Sequence, residues 1–193
     1  MKMGTIEKRF VNAAGHSRDV AEAAARRLRG VPWRPGQTYL DVGCGNGAAA
    51  AHLSAAFGLD VTGVDVDPEQ IEQARKAVER IRGVRFITVD ATHLPFEDAT
   101  FDFVATNKTT HHIPAWDEAL AEMLRVLRPG GYLVYADFVL PKWLAVLLRP
   151  IAGRRAGLVT REALDRFFLD RRVEIMRPAR RGALYETVCR KPT

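Results

Sequence analysis

Apolar residues recur along this chain with two alternating periods. Short runs rich in β-branched and aromatic residues fall at 39–42 (YLDV), 60–64 (DVTGV), 84–89 (VRFITV), 101–106 (FDFVAT) and 132–138 (YLVYADF). Their length and composition suit buried strands. Between them, residues 48–57, 68–82 and 116–127 read as helices, giving a strand–helix alternation of the βαβ kind and a parallel sheet. A leading helix over 17–28 is marked by Val20, Ala24 and Leu28 at helical spacing. Near the end Thr160 is placed to cap a helix carrying Leu164, Phe167 and Phe168. The stretch RVEIMRPARRGALYETVCRKP then predicts two short antiparallel strands around a basic, glycine-containing turn.

The helix over 68–82 carries the clearest end signals. Asp67 is a capping residue, Pro68 suits the first turn, Gln70 completes a capping-box pattern and Gly83 marks the stop.

A chain of 193 residues with 47% hydrophobic and 27% charged residues has the size and balance of one globular domain. The opening MKMGTIEKRF lacks the apolar core of a secretory signal, so a cytoplasmic location is expected. Residues 132–148 are interrupted by Asp137, Pro141 and Lys142, which excludes a single spanning helix. Two cysteines, Cys44 and Cys189, are too few for a disulfide framework or a thiolate metal site. The net charge of +6 is uneven: from Lys142 onward 13 Lys/Arg stand against five Asp/Glu, while the first 141 residues carry 16 against 18. The basic end reads first as a solvated face, with nucleic acid or anionic lipid as alternatives. Within it, PKWLAVLLRPIAGRRAGL predicts a short apolar helix for which burial is the favoured reading, and contact with a lipid-like surface the alternative.

The chemistry concentrates in LDVGCGNGAAAAHL, residues 40–53. A strand runs into three glycines at alternate positions and then into a helix, a turn through which a backbone approaches a nucleotide closely. Gly43, Gly45, Gly47 and Ala48 also fit the dinucleotide fingerprint, so the turn alone leaves the nucleotide open. Three acids narrow the choice. Asp41 stands where a pyrophosphate is unwelcome and an ammonium welcome. Asp65 lies 22 residues after Gly43, at the distance of a ribose-binding acid. Asp90 closes a third strand, with a carboxylate for an exocyclic amine and the Ala91 N–H beside it. Together they favour an aminoacyl nucleoside, S-adenosylmethionine.

With these residues in place, LDVGCGNG, GVDVDPEQIEQAR, DATHLPFEDATFD and EMLRVLRPGGYLV, spread over about residues 38–138, resemble successive motifs of the class I S-adenosylmethionine-dependent methyltransferases. The similarity is to the type 11, quinone-biosynthesis-like small-molecule group. It implies an α/β, Rossmann-like, seven-stranded and mostly parallel sheet with helices on both faces and an antiparallel last strand. It also implies a single domain over 1–193, with an N-terminal helical lid (1–30), a cofactor-binding core (38–138) and C-terminal helices and hairpin (139–193). Carried over by position, Gly43, Cys44 and Gly45 lie against the methionine and ribose, Asp41 near the amino group, and Asp65 on the ribose diol. Val66 packs on the adenine, and Asp90 with Ala91 reads its edge.

Methyl transfer from a sulfonium needs alignment and exclusion of water more than it needs a base. The acceptor side is expected in ATNKTTHHIPAW, where Asn107 and Lys108 are candidates to face cofactor or acceptor, and Asn107 to touch both. His111 is a candidate base, although the pair His111–His112 reads foremost as packing and hydrogen-bonding residues. Adjacent histidines with no acid cluster beside them in the sequence make a poor metal site, so none is expected. Lys108, Thr109 and Thr110 predict a polar acceptor pocket. Phe10 and His16 in the lid are further substrate candidates, read first as packing and surface residues. The signature of amino-directed nucleic-acid methyltransferases is absent, as is the aspartate of metal-dependent catechol-type enzymes, where Asn107 stands. The expected reaction is metal-free in-line methyl transfer to a small-molecule or lipid-like acceptor. Alternatives are a non-catalytic cofactor-binding protein, an RNA-directed methyltransferase using the basic end, and, on the glycine fingerprint alone, a nicotinamide dehydrogenase.

Overall fold

A computed structural model describes residues 14–78, 81–152, 157–177 and 182–193. Its elements run α1 (Ala14–Leu28), β1 (Thr38–Val42), α2 (Ala48–Phe57), β2 (Asp60–Asp65), α3 (Pro68–Ala77), β3 (Val84–Thr88) and β4 (Phe101–Asn107). A 3-10 turn (Thr110–His112), α4 (Trp116–Val126), β5 (Leu127–Phe138), α5 (Lys142–Ala152), α6 (Arg161–Asp170), β6 (Glu174–Arg177) and β7 (Leu184–Arg190) follow. The strands form one sheet in the order β3-β2-β1-β4-β5-β7-β6. Pairing is parallel from β3 to β5, and β7 runs antiparallel to both β5 and β6. The seven-stranded sheet and its reversed strand are those expected.

Side-chain alternation along each strand divides the core between the two faces. Tyr39, Val61, Phe103 and Val134 pack with Leu28, Leu53 and Ile71 of α1, α2 and α3. Leu40, Val104, Leu133 and Tyr135 pack with Leu120, Leu124, Leu164 and Phe168 of α4 and α6. Chain order reverses between β1 and β4, because β2 and β3 build outward on one side and β5 on the other. The carboxyl ends of β1 and β4 therefore diverge into a crevice, where open α/β sheets place their ligands.

Two local expectations are corrected. The helix over 68–82 stops at Ala77: the Val78 N–H is shared between the Ala74 and Arg75 carbonyls, and Ile81 N–H turns back onto Val78 O at 2.7 Å. Asp67 caps it by accepting from Glu69 N at 3.0 Å, worth about 1 kcal/mol, but no capping box forms. The Asp67 N–H that Gln70 would need is already given to Asp65 Oδ1 at 2.9 Å. The buried Gln70 amide finds no partner among the described residues. The second correction is at RPGG, which lies inside β5 rather than before it. Leu127 pairs with Phe101, a bulge follows, and Gly130 and Gly131 exchange backbone hydrogen bonds with Lys191.

Thr160 caps α6 through Ala163 N at 3.2 Å, and β6 with β7 forms the expected hairpin. Most of its basic turn (178–181), Phe10 and the His16 side chain lie outside the described residues.

Candidate active site

A cavity of about 610 Å³ occupies the crevice, within the range of small-molecule sites. Its floor is the glycine turn. Gly43 and Cys44 both donate to Val64 O, at 2.8 and 3.0 Å, which folds the chain back on the end of β2. Gly43 has φ +77°, and a Cβ there would fall on the Thr109 side chain. Gly47 also has φ +77°, and its Cβ would meet Phe86 at 2.6 Å and Ala74 at 2.9 Å. Both positions demand glycine for conformation and for space.

Asp41, Gly43, Cys44, Gly45, Asp65, Val66, Asp90, Ala91 and Asn107 all line this cavity, with Lys108 and His111. The fold thus brings together every residue singled out for cofactor or catalysis, from four strand ends. Asp65 is more than a ligand candidate. Its Oδ2 accepts from Gly45 N at 3.0 Å and its Oδ1 from Asp67 N at 2.9 Å, so it pins the glycine turn to the start of α3. Each carboxylate oxygen has room for a second donor. Burial raises the Asp65 carboxyl above its ordinary range, against those backbone hydrogen bonds.

Asp41 is buried and its Oδ2 has no hydrogen-bond partner among the described residues. Burial, reinforced by the neighbouring Asp65 charge and opposed by Arg27, pushes its carboxyl up to about 7. Asp90 sits at the rim, where its Oδ1 accepts from the Thr92 N–H at 2.9 Å and hydroxyl at 2.8 Å. The Thr92 backbone bond leads in holding its carboxyl below the usual range. Burial pushes the Cys44 thiol well up, so it stays protonated.

Two further buried atoms lie without partners among the described residues on the adjoining wall, Thr106 Oγ1 and Asn107 Oδ1. Buried polar groups are normally paired. Strand alternation puts Asp41 and Asn107 on one face of the sheet at neighbouring strand ends and Thr106 on the other, so Asp41 Oδ2 and Asn107 Oδ1 are the pair of such unpartnered atoms beside the glycine turn. Such a set fits a ligand of nucleoside size that brings its own donors, and S-adenosylmethionine carries ammonium, hydroxyl and amine donors.

The wall that follows β4 is built differently. Lys108 follows β4 in a left-handed conformation (φ +53°), its N–H on Ala136 O at 2.7 Å and its ammonium 5.4 Å from the centre of the Phe138 ring. The 3-10 turn beyond it wraps a fully buried carboxylate, Asp137. Asp137 Oδ1 lies 2.6 Å from His111 Nδ1 and accepts Phe138 N–H at 2.7 Å. Its Oδ2 accepts the Thr110 hydroxyl at 2.6 Å and His111 N–H at 3.1 Å. Tyr135 OH completes the set on Thr110 Oγ1 at 2.7 Å. The Thr110 proton is committed to the carboxylate, so Tyr135 is the donor. Burial opposes ionisation of Asp137, but the hydrogen bonds, His111 first, outweigh it and hold the carboxyl below the usual range. An ionised carboxylate only accepts, so the His111 Nδ1 that touches it carries a proton.

The sequence reading missed Asp137, which figured only as an interruption of an apolar run. The signal was available: an acid inside a buried strand requires partners. The view of the histidine pair as lacking an acid is corrected in space, where Asp137 reaches His111 across 26 residues. Thr110 is corrected as well, since it is buried and turned to Asp137 rather than lining the cavity. Arg27, also unforeseen, lines the cavity from α1 with Val20 and Ala24. It is held by Glu186 of β7 at 3.3 Å.

Residues 40–135 match the family model described as a methyltransferase domain. The fatty-acid O-methyltransferase of Mycolicibacterium smegmatis is 39% identical over 113 residues, 56% of this chain and 41% of that protein. The 27-O-demethylrifamycin SV methyltransferase of Amycolatopsis mediterranei is 38% identical over 131 residues, 64% of this chain and 48% of that protein. The chain thus spans less than half the length of these curated relatives. Among solved structures, a SAM-dependent methyltransferase from Aquifex aeolicus superposes with a TM-score of 0.75 at 20% identity, covering 98% of this chain and 99% of that one. Through residues 40–135, this chain belongs to the methyltransferase-domain family of class I S-adenosylmethionine-dependent methyltransferases.

Proposed function

We propose that the protein methylates a hydroxyl of a small-molecule or lipid-like acceptor, using S-adenosylmethionine held over the glycine turn. The observation that carries this reading is the pairing of two walls in one cavity: unsatisfied Asp41 beside the turn, and the His111–Asp137 pair on the wall that follows β4. Bound there, S-adenosylmethionine supplies an electrophilic methyl group on a sulfonium.

The roles of the chain's own residues follow from their chemistry. Asp41 receives the ammonium, which draws its carboxyl into the ionised form. Asp65 accepts from the ribose hydroxyls while keeping the turn in place. Asp90 and Ala91 meet the adenine edge and Val66 covers its face. Asn107, at the end of β4, is the polar group between the walls. On the acceptor side, His111 Nε2 takes the hydroxyl proton as the oxygen becomes a nucleophile, and Asp137 fixes the tautomer and steadies the imidazolium. Lys108 and Phe138 border the acceptor. The two relatives described above are named for O-methylation of a fatty acid and for a 27-O-demethylrifamycin, which supports an oxygen nucleophile; a carboxylate needs no base, so the choice of a hydroxyl rests on the His111–Asp137 pair.

Calorimetric titration with S-adenosylmethionine, its demethylated product and NAD tests the first wall. Binding of the first two and not of NAD is expected. A screen of fatty acids, phenols and quinols with labelled methyl donor tests the second. Cofactor binding with no transfer to any oxygen acceptor would leave a non-catalytic cofactor-binding protein.

A further inference from the structure

Helix α5 carries an outer face that nothing in the described chain covers. Trp143, Val146 and Leu147, one turn apart on one side, are 69, 63 and 61% exposed. Ala145 is buried and Leu144 and Leu148 half-buried on the inner side. Burial of the whole helix, the favoured expectation, thus holds for one face alone. Three large apolar side chains clustered in this way, one a tryptophan, are unlike the scattered exposed residues of an ordinary surface.

Two further observations say what covers them. First, the sequence from 142 to 155 contains Lys142, Arg149, Arg154 and Arg155 and no acidic residue, at the head of the strongly basic end of the chain. Second, α5 lies on an excursion from the acceptor-side rim. The chain leaves the rim at Phe138, which lines the cavity and is 45% exposed, and returns at Gly157, whose N–H donates to His111 O at 3.1 Å.

We propose that α5 docks on an anionic bilayer surface, inserting Trp143, Val146 and Leu147 among the lipids and setting the acceptor-side rim at the lipid–water boundary. Apolar insertion and attraction of basic residues to acidic headgroups act together in such helices, and tryptophan favours that depth. A second copy of the chain is a poorer occupant. Facing patches would set basic segments against each other, and three side chains fall far short of the roughly 800 Å² per partner of a stable interface. That a lipid acceptor enters from the bilayer rests on the function proposed above; the docking itself does not.

The test is flotation of the full chain with vesicles of phosphatidylcholine, alone or with about a third phosphatidylglycerol. Binding to the anionic vesicles, weakened as salt rises from about 0.1 to 0.5 M, is expected. Brominated lipid should quench the tryptophan emission, and W143F should lose that quenching. The variant W143S/V146S/L147S should partition at least about tenfold more weakly while binding S-adenosylmethionine as the parent does, so that lost docking is not lost folding. Failure of the parent to float with anionic vesicles, or equal flotation of the triple variant, overturns the proposal. So does a dimer in light scattering that the triple variant converts to monomer. Docking without cofactor binding would instead remove the functional reading and leave this one standing.

Discussion

The two walls of the cavity are built on opposite electrostatic principles. Around Asp41 and the glycine turn, buried polar atoms have no partners among the described residues, and burial with the Asp65 charge beside it pushes one carboxyl up to about 7. Around Asp137, four donors converge on a carboxylate that is consequently held ionised. The first wall is finished by its ligand, whereas the second is finished by the chain. A site that waits for its ligand gains affinity and specificity from it. One that is already assembled holds its imidazole in a fixed orientation without reorganising.

The largest expected effect breaks the second wall. D137N should lower kcat by about 10²- to 10³-fold, because the amide no longer holds His111 as the Nδ1–H tautomer. S-adenosylmethionine affinity should stay within about threefold, since Asp137 touches only the acceptor side. Steady-state kinetics beside calorimetry checks both. On the first wall, D65A should weaken S-adenosylmethionine binding about 100-fold, because charged hydrogen bonds to the ligand and the anchor of the turn disappear together. Calorimetry reads that loss directly.

Smaller effects sharpen the contrast. G43A should cost about 1–3 kcal/mol of stability, from the left-handed backbone and the clash with Thr109. Thermal denaturation measures it, and T109G in the same chain should return part. The smallest effect is on pH dependence. The Asp41 carboxyl lies near 7 in the fold against about 4 unfolded, so its contribution to stability is complete below about pH 4 and drains away as pH rises through 7. D41N should show no such decline and should gain on the parent between about pH 5 and pH 8. Near pH 6, S-adenosylmethionine binding to the parent should release up to about one proton, visible as a dependence of enthalpy on buffer.

These contrasts also explain what could be read from the sequence. Strand runs, glycine spacing and the three acids at strand ends are local features, and LDVGCGNG placed the first wall almost residue by residue. The second wall depends on contacts between β5 and the turn after β4, which no local spacing encodes. Asp137 and His111 meet only because β4 and β5 pair in parallel with Asn107 opposite Ala136. The capping box at Asp67 and Gln70 failed for a different, local reason. Asp65, only two residues back, accepts the Asp67 N–H and so claims the donor that the capping pattern had reserved.

The pair Arg27–Glu186 spans 159 positions of sequence, and Arg177 adds a hydrogen bond to Arg27 O at 3.3 Å. A ribosome delivers α1 and the glycine turn early and β7 near the end of this chain. Until Glu186 emerges, α1 lacks the residue that clasps its cavity-lining arginine. The nascent chain therefore makes its nucleotide motif long before it makes a closed pocket. Cofactor capture should wait on β7, and a product truncated before that strand should bind S-adenosylmethionine more weakly than the parent.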